Sequence, residues 1–173
     1  MQNITTNNDL YDELWGKIKT IRKAWRKPKT LNKLIDDWVA NYGTKMDKVA
    51  EKIIADKVRL NWNNYATNNN LSTLDDFIKS AWEGWTEGKF SIERSEKGVQ
   101  IFCTKCPMAE AYRAIGKENY GLIFHCSEDP HMVAGFNPEL KIHRTKTLMN
   151  GDEYCNHFYY NHFSRSRGHL KTK

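Results

Sequence analysis

The chain has 173 residues, 39% of them hydrophobic and 12% aromatic, and carries a net charge of +6. That composition excludes a disordered polymer and suffices for one domain with a sizeable core. No apolar run approaches the ~20 residues needed to cross a bilayer, and the opening MQNITTNNDL lacks the basic and apolar segments of a signal peptide, so a soluble cytoplasmic protein with no membrane partner is expected.

The first predicted helix starts at Asn8 or Asp9, either of which can cap it, and stops before Pro28. Leu14, Ile18, Ile21 and Trp25 form its apolar stripe. Above that stripe, residues 17–33 hold eight Lys or Arg and no acid. The tail from Ser164 adds Arg165, Arg167, Lys171 and Lys173, so the rest of the chain is net acidic. No nucleic-acid motif accompanies the basic stretch, which therefore reads as a solvated helix face rather than a nucleic-acid site. Thr30 is expected to cap the next helical segment, whose apolar residues run from Leu31 to Trp62 at helical spacing, with Gly43 as a break. The polar run NNYATNNN ends it. Ser72 or Thr73 opens a third helix with Leu74, Phe77, Ile78, Ala81, Trp82 and Trp85 on one face, a stripe that places the tryptophans in a core. This helical part spans about 8–87. Six tryptophans and an apolar-rich helical half leave room for a homodimer face.

From about 89 to 163 the period changes. KFSIERSEKGVQIFC alternates around Glu96-Lys97-Gly98 and reads as a hairpin. PMAEAYRAIGK is a short helix, with proline near its first turn and Gly116 near its end. NYGLIFHCSEDPHMVAGF is open between strand, helix and loop. ELKIHRTKTL and DEYCNHFYYNH flank Asn150-Gly151 as two more strands. The expected fold is α+β: N-terminal helices packed on a small antiparallel sheet formed by the C-terminal half, one domain over 1–173 with a basic tail at 164–173.

All four cysteines fall in this second part (Cys103, Cys106, Cys126 and Cys155), with His125, His131, His143 and His157 among them. Cys103 and Cys106 have C-x-x-C spacing, a candidate zinc or redox pair, but no second C-x-x-C or H-x3-H accompanies it. Each cysteine also has a plain alternative as a small buried hydrophobe. The Asn-Gly turn suggests a third chemistry. A two-residue turn there pairs Met149 with Asp152, Lys146 with Cys155 and Arg144 with His157. Alternation then puts Arg144, Lys146, Cys155 and His157 on one face, about 5 Å apart across the strands. Cations lower a thiol's pKa and favour the nucleophilic thiolate, and a histidine in reach exchanges protons with it. Arginine on a part-buried face requires an anionic partner: Asp129, Asp152 or a substrate carboxylate.

CPMAEAYRAIG (106–116), HCSEDP (125–130) and FNPELKIHRTKTLMNGDEYCNHFY (136–159) together resemble the L-2-amino-thiazoline-4-carboxylic acid hydrolase family, in the order and spacing of their Cys-Pro, C-x-x-D, Arg, Thr-Leu, Gly-Asp and Cys elements. The resemblance implies a hydrolase that adds water to the amidine-like carbon of a small heterocycle. It carries over to Cys126, Asp129, Arg144, Asp152 and Cys155. On chemical grounds Cys155 is the first candidate nucleophile and Cys126 the second. Asp129 would orient a base or hold the ring's amino group, and His157 or His125 would shuttle the proton. Arg144 would bind the substrate carboxylate, and Asp152 would bind substrate or only fix the turn. No cofactor is expected. The rival reading is a small-molecule- or zinc-binding module of the vinyl-reductase-domain type, whose make-up is comparable, with Cys103 and Cys106 as ligands.

Overall fold

The computed structural model describes residues 7–162; the basic tail at 164–173 lies outside them. Helix α1 (Asn7–Lys23) already includes Asn8 and Asp9, and a single 3-10 turn at Ala24–Arg26 carries the chain to Pro28. Pro28, rather than a Thr30 cap, opens α2 (Pro28–Tyr42): a proline in the first helical turn loses no hydrogen bond there. The long apolar period after it divides at Gly43 into α2 and α3 (Asp47–Asn68), and α3 continues through the polar NNYATN, which the sequence pattern had assigned to its end. Helix α4 (Leu74–Ile78) starts from a capping box: Thr73 Oγ accepts the Asp76 N–H at 3.1 Å and Asp76 Oδ2 accepts the Thr73 N–H at 3.0 Å. A π turn at Lys79–Glu83 extends it and delivers Trp82 to the interior.

Four antiparallel strands follow: β1 (Lys89–Ser95), β2 (Gly98–Lys105), β3 (Leu140–His143) and β4 (Cys155–Asn161), in the order β1-β2-β4-β3. Between β2 and β3 lie α5 (Pro107–Ala114), α6 (Glu118–Phe124) and α7 (Asp129–Phe136), so the ambiguous stretch 119–136 is helical. The fold is α+β, as the change of period implied. One sheet face is buried against the helices. Val99, Ile101 and Cys103 of β2 stand opposite Tyr159, His157 and Cys155 of β4, and all six are buried. Leu14, Ile18 and Ile21 of α1 join the same core, so the apolar stripe under the basic stretch is a packing face.

Helices α3 and α7 touch backbone to backbone. A Cβ on Gly135 would fall 2.3 Å from the Arg59 carbonyl oxygen, a contact that no rotamer relieves. Gly135→Ala should therefore cost about 2–3 kcal/mol of stability, as overpacking does, read as a lower urea midpoint with an unchanged m-value.

The turn at Asn150-Gly151 is not a two-residue hairpin. Pairing between β3 and β4 keeps the expected register, Leu140 with Asn161 and His143 with Phe158, but ends there. The chain then arches through residues 144–154. Leu148–Asn150 form a 3-10 turn closed by Gly151 in the left-handed region, φ 91°. Side chains replace the missing ladder bonds. Asn156 Oδ1 accepts the N–H groups of Thr145 (2.9 Å) and Lys146 (2.6 Å), and Asp152 Oδ2 accepts that of Thr147 (2.7 Å). From α5, Arg113 donates to the Leu148 carbonyl.

Candidate active site

The arch, β2, β4, α7 and the π turn enclose a cavity of about 220 Å³. That is below the size of a drug-sized site and suits a small substrate. All four cysteines line it, with His125, Asp129, Arg144 and His157. Those eight come from four separate stretches of the chain, at 103–106, 125–129, 144 and 155–157, and the helical turn between α6 and α7 is what brings Cys126, Glu128 and Asp129 to the cavity.

Asp129 is the electrostatic centre. It opens α7, immediately before Pro130. Its Oδ2 accepts a hydrogen bond from Arg144 Nη1 and lies 3.2 Å from His157 Nε2. Burial alone would raise its carboxyl; the His157 hydrogen bond and the charges of His157 and Arg144 outweigh that and hold it below the usual carboxylate range. Arg144 also donates to the Cys126 carbonyl at 3.1 Å. The anionic partner that the arginine required is thus Asp129, not Asp152. His157 packs against Trp82 (4.9 Å between centroids) and the parallel ring of Tyr159 (6.1 Å), and those two rings also touch each other (6.4 Å). Its Nδ1 is buried with no hydrogen-bond partner among the described residues.

The cysteines separate by environment. Cys155 Sγ accepts the Leu148 N–H at 3.2 Å and lies 3.7 Å from Thr147 Oγ1. Hydrogen bonding with the facing Cys103 thiol, then the Leu148 N–H, Thr147 and the charge of His157, overcome burial and lower it to about 6. Cys103 is correspondingly raised by the same pairing and by burial. Cys126, 3.8 Å from the other side of Thr147 Oγ1, is pushed up to about 12 by burial and by the charge of Asp129. Burial also raises Cys106, which precedes α5 at its N-cap.

Lys146 is a correction. It does not share a face with Cys155: its Nζ lies over the Tyr154 ring at 4.7 Å, on the outer side of the sheet, because the arch turns the backbone out of the ladder before residue 146. Asp152 also stays out of the cavity and is occupied with the Thr147 N–H. Lys146 therefore leaves the face that the hairpin register gave it, and Asp152 makes the turn-fixing contact that was the alternative to its binding substrate. Cys103 and Cys106 both face the cavity, but among the described residues no group of three or more His, Cys, Asp or Glu is arranged to hold a metal ion.

Several contributors were not visible as site residues in the sequence. Arg22, read as part of a solvated basic face, pairs with half-buried Glu128 at the cavity wall. Trp82 was read only as a core position and Tyr159 was not singled out, yet Trp82 Nε1 donates to Tyr159 Oη at 3.0 Å and both rings pack against His157. Thr147 sits between two sulfurs, and only the three-dimensional arch reveals that.

His125 is a poor proton carrier near neutrality. Burial, then the charge of Arg22, lower it to about 3. Its unfolded-state value is near 6.5, so between roughly pH 6.5 and 3 the unfolded chain binds a proton that the native protein does not, and stability falls as pH falls. The expected loss from His125 is about 2 kcal/mol between pH 6.5 and 5. His131, also lowered by burial, acts in the same sense, and Glu128, raised by burial, acts in the opposite one. Urea midpoints of wild type and His125→Gln at both pH values isolate the His125 share: the variant's decline should be smaller by that amount.

A family model described as L-2-amino-thiazoline-4-carboxylic acid hydrolase matches residues 18–159. No curated protein and no solved structure gives a match. No helix among the described residues is long and apolar enough to cross a membrane.

Proposed function

The chain belongs to the L-2-amino-thiazoline-4-carboxylic acid hydrolase family, and from that premise we propose that it hydrolyses a small cyclic amidine-like carboxylate with Cys155 as nucleophile. The observation that carries the reading is the contrast between two thiols in one cavity. Hydrogen bonds from Cys103 and the Leu148 N–H lower Cys155 to about 6, and burial, then the charge of Asp129, raises Cys126 to about 12. Near neutrality only the first holds a substantial thiolate fraction.

The Cys155 thiolate adds to the ring carbon that carries sulfur and nitrogen. A ring carbon–heteroatom bond then breaks, and the leaving atom takes a proton from His157. The product of this half-reaction is a covalent adduct on Cys155. His157, now neutral, takes a proton from water, which adds to the adduct carbon and releases Cys155. One water is consumed, and the ring is opened to a carbamoyl-type product. Asp129 holds His157 through Nε2, and Nδ1, buried without a hydrogen-bond partner among the described residues, is left to exchange the proton. The Leu148 N–H stabilises the thiolate before attack and after release. Arg144, which already holds Asp129, retains further N–H donors at the cavity wall for a substrate carboxylate.

The test is incubation of the purified protein with 2-amino-thiazoline-4-carboxylate, followed by mass analysis of product and protein. A ring-opened product one water heavier, together with a trapped adduct on Cys155, is the expected result. An adduct on Cys126 alone would remove the nucleophile assignment, and an intact substrate would remove the substrate.

A further inference from the structure

We propose that Cys103 and Cys155 form a peroxide-reactive dithiol, in which a hydroperoxide oxidises Cys155 and Cys103 resolves it as a reversible disulfide. The two residues are direct partners across β2 and β4, on the last rung of that ladder. Both side chains are on the buried face and both line the cavity, so a small oxidant in the cavity reaches them together. Both are free thiols in the structure.

The backbone geometry favours the bond. Directly opposed residues on antiparallel strands have Cα atoms about 4.5–5.5 Å apart, and disulfides span about 4.4–6.8 Å. Closing the bridge therefore requires rotation of two side chains and no shift of either strand. Beyond this rung β2 and β4 are no longer paired, and Thr104 and Lys105 continue beside β1 only. The other two cysteines are worse placed. Cys126 lies off the ladder, in the turn between α6 and α7, where it contacts Thr147 Oγ1 (3.8 Å), and Cys106 lies off it at the start of α5.

The chemistry balances with hydrogen peroxide as the oxidant. The Cys155 thiolate attacks the O–O bond, takes one oxygen as the sulfenic acid and, with one proton, releases water. The Cys103 sulfur then attacks the sulfenic sulfur, the S–S bond forms, and a second water leaves with the Cys103 proton. Two equivalents of an external thiol restore both cysteines. The bridge itself does not depend on the ring-opening reading; only its consequence does, since a Cys155 held in a disulfide cannot attack substrate.

The experiment uses the full chain, reduced, desalted and exposed to excess hydrogen peroxide. Intact mass should fall by about 2 Da per chain as two hydrogens are lost, and a non-reduced peptide map should contain a Cys103–Cys155 linked peptide. Ring opening should drop at least about tenfold and return on addition of dithiothreitol. In Cys103→Ala the mass loss should vanish and dimedone should label Cys155 as a persistent sulfenic acid. An unchanged mass, a link from Cys155 to Cys106 or Cys126, or direct passage to a sulfinic acid in the wild type would overturn the proposal. Should Cys103→Ala fail to fold, the wild-type peptide map decides alone. A linked peptide from protein that opens no ring would sustain the dithiol and remove the hydrolase reading.

Discussion

Cys155→Ala should abolish ring opening, with kcat reduced by about three orders of magnitude or more, the scale seen when a covalent nucleophile is deleted. The thiol is buried and small, so its loss leaves little cavity, and the variant should fold with a near-wild-type circular dichroism spectrum. Cys126→Ala is the matched control. It removes a sulfur from the same cavity, on the other side of the same threonine hydroxyl, but one that remains protonated near neutrality. Its effect should stay within about tenfold, because it removes packing and not the attacking atom. The pH dependence gives a second readout. Wild-type kcat/KM should rise with pH through a limb near the lowered Cys155 value of about 6. Equal losses in the two alanine variants would sink the assignment.

Asp129→Asn should be the most damaging substitution that preserves shape. Its carboxylate meets both Arg144 and His157 with a single oxygen. An amide removes the charge and leaves the Arg144 guanidinium, mostly enclosed, without a counterion. Breaking such a pair from one side costs about 3 kcal/mol, measurable as a lower urea midpoint at pH 7. The sign with pH follows from the direction of the shift. Asp129 is held below its ordinary value, so its contribution is fully present above the unfolded-state value and is lost as pH falls through the folded one. The gap between wild type and variant should therefore narrow in acid. Activity should fall about a hundredfold, since His157 loses the group that orients it. Arg144→Lys should lose part of the same function, because an ammonium cannot hold Asp129 and the Cys126 carbonyl from one rigid fork.

The register of the closing strands was legible because alternation is a strict period of two, and Asn150-Gly151 marks where the chain reverses. Leu140 with Asn161 and His143 with Phe158 follow from it. The conformation of the reversal was not legible. Asn-Gly favours positive φ, and the chain spends that preference on ending a 3-10 turn at Gly151, because Asn156 and Asp152 offer side-chain oxygens to N–H groups that a tight hairpin would have paired in the ladder. That exchange is why Cys155 kept its expected neighbour His157 on the strand but lost Lys146. The helical stripes of α1 and α4 were equally plain, since apolar spacing reports packing directly. It does not report a salt bridge made 106 residues away, and so Arg22 was hidden in its basic stretch. The segment 119–136 was ambiguous because its two apolar runs, YGLIF and MVAGF, are each too short to show a period and are split by the polar HCSEDPH. The cluster of Asp129, Arg144 and His157 depends on how that segment turns.

The strand order has a consequence for how the molecule is assembled. Strand β4 lies between β2 and β3, and both of its neighbours precede it in the chain. Before β4 inserts, β2 and β3 each present an unpaired edge, the kind of surface that recruits other chains. Insertion closes both edges in one event, and the same event carries Cys155 and His157 into position. Refolding should thus show recovery of enzyme and disappearance of aggregation-prone intermediates as a single kinetic phase, with non-local pairing setting its rate.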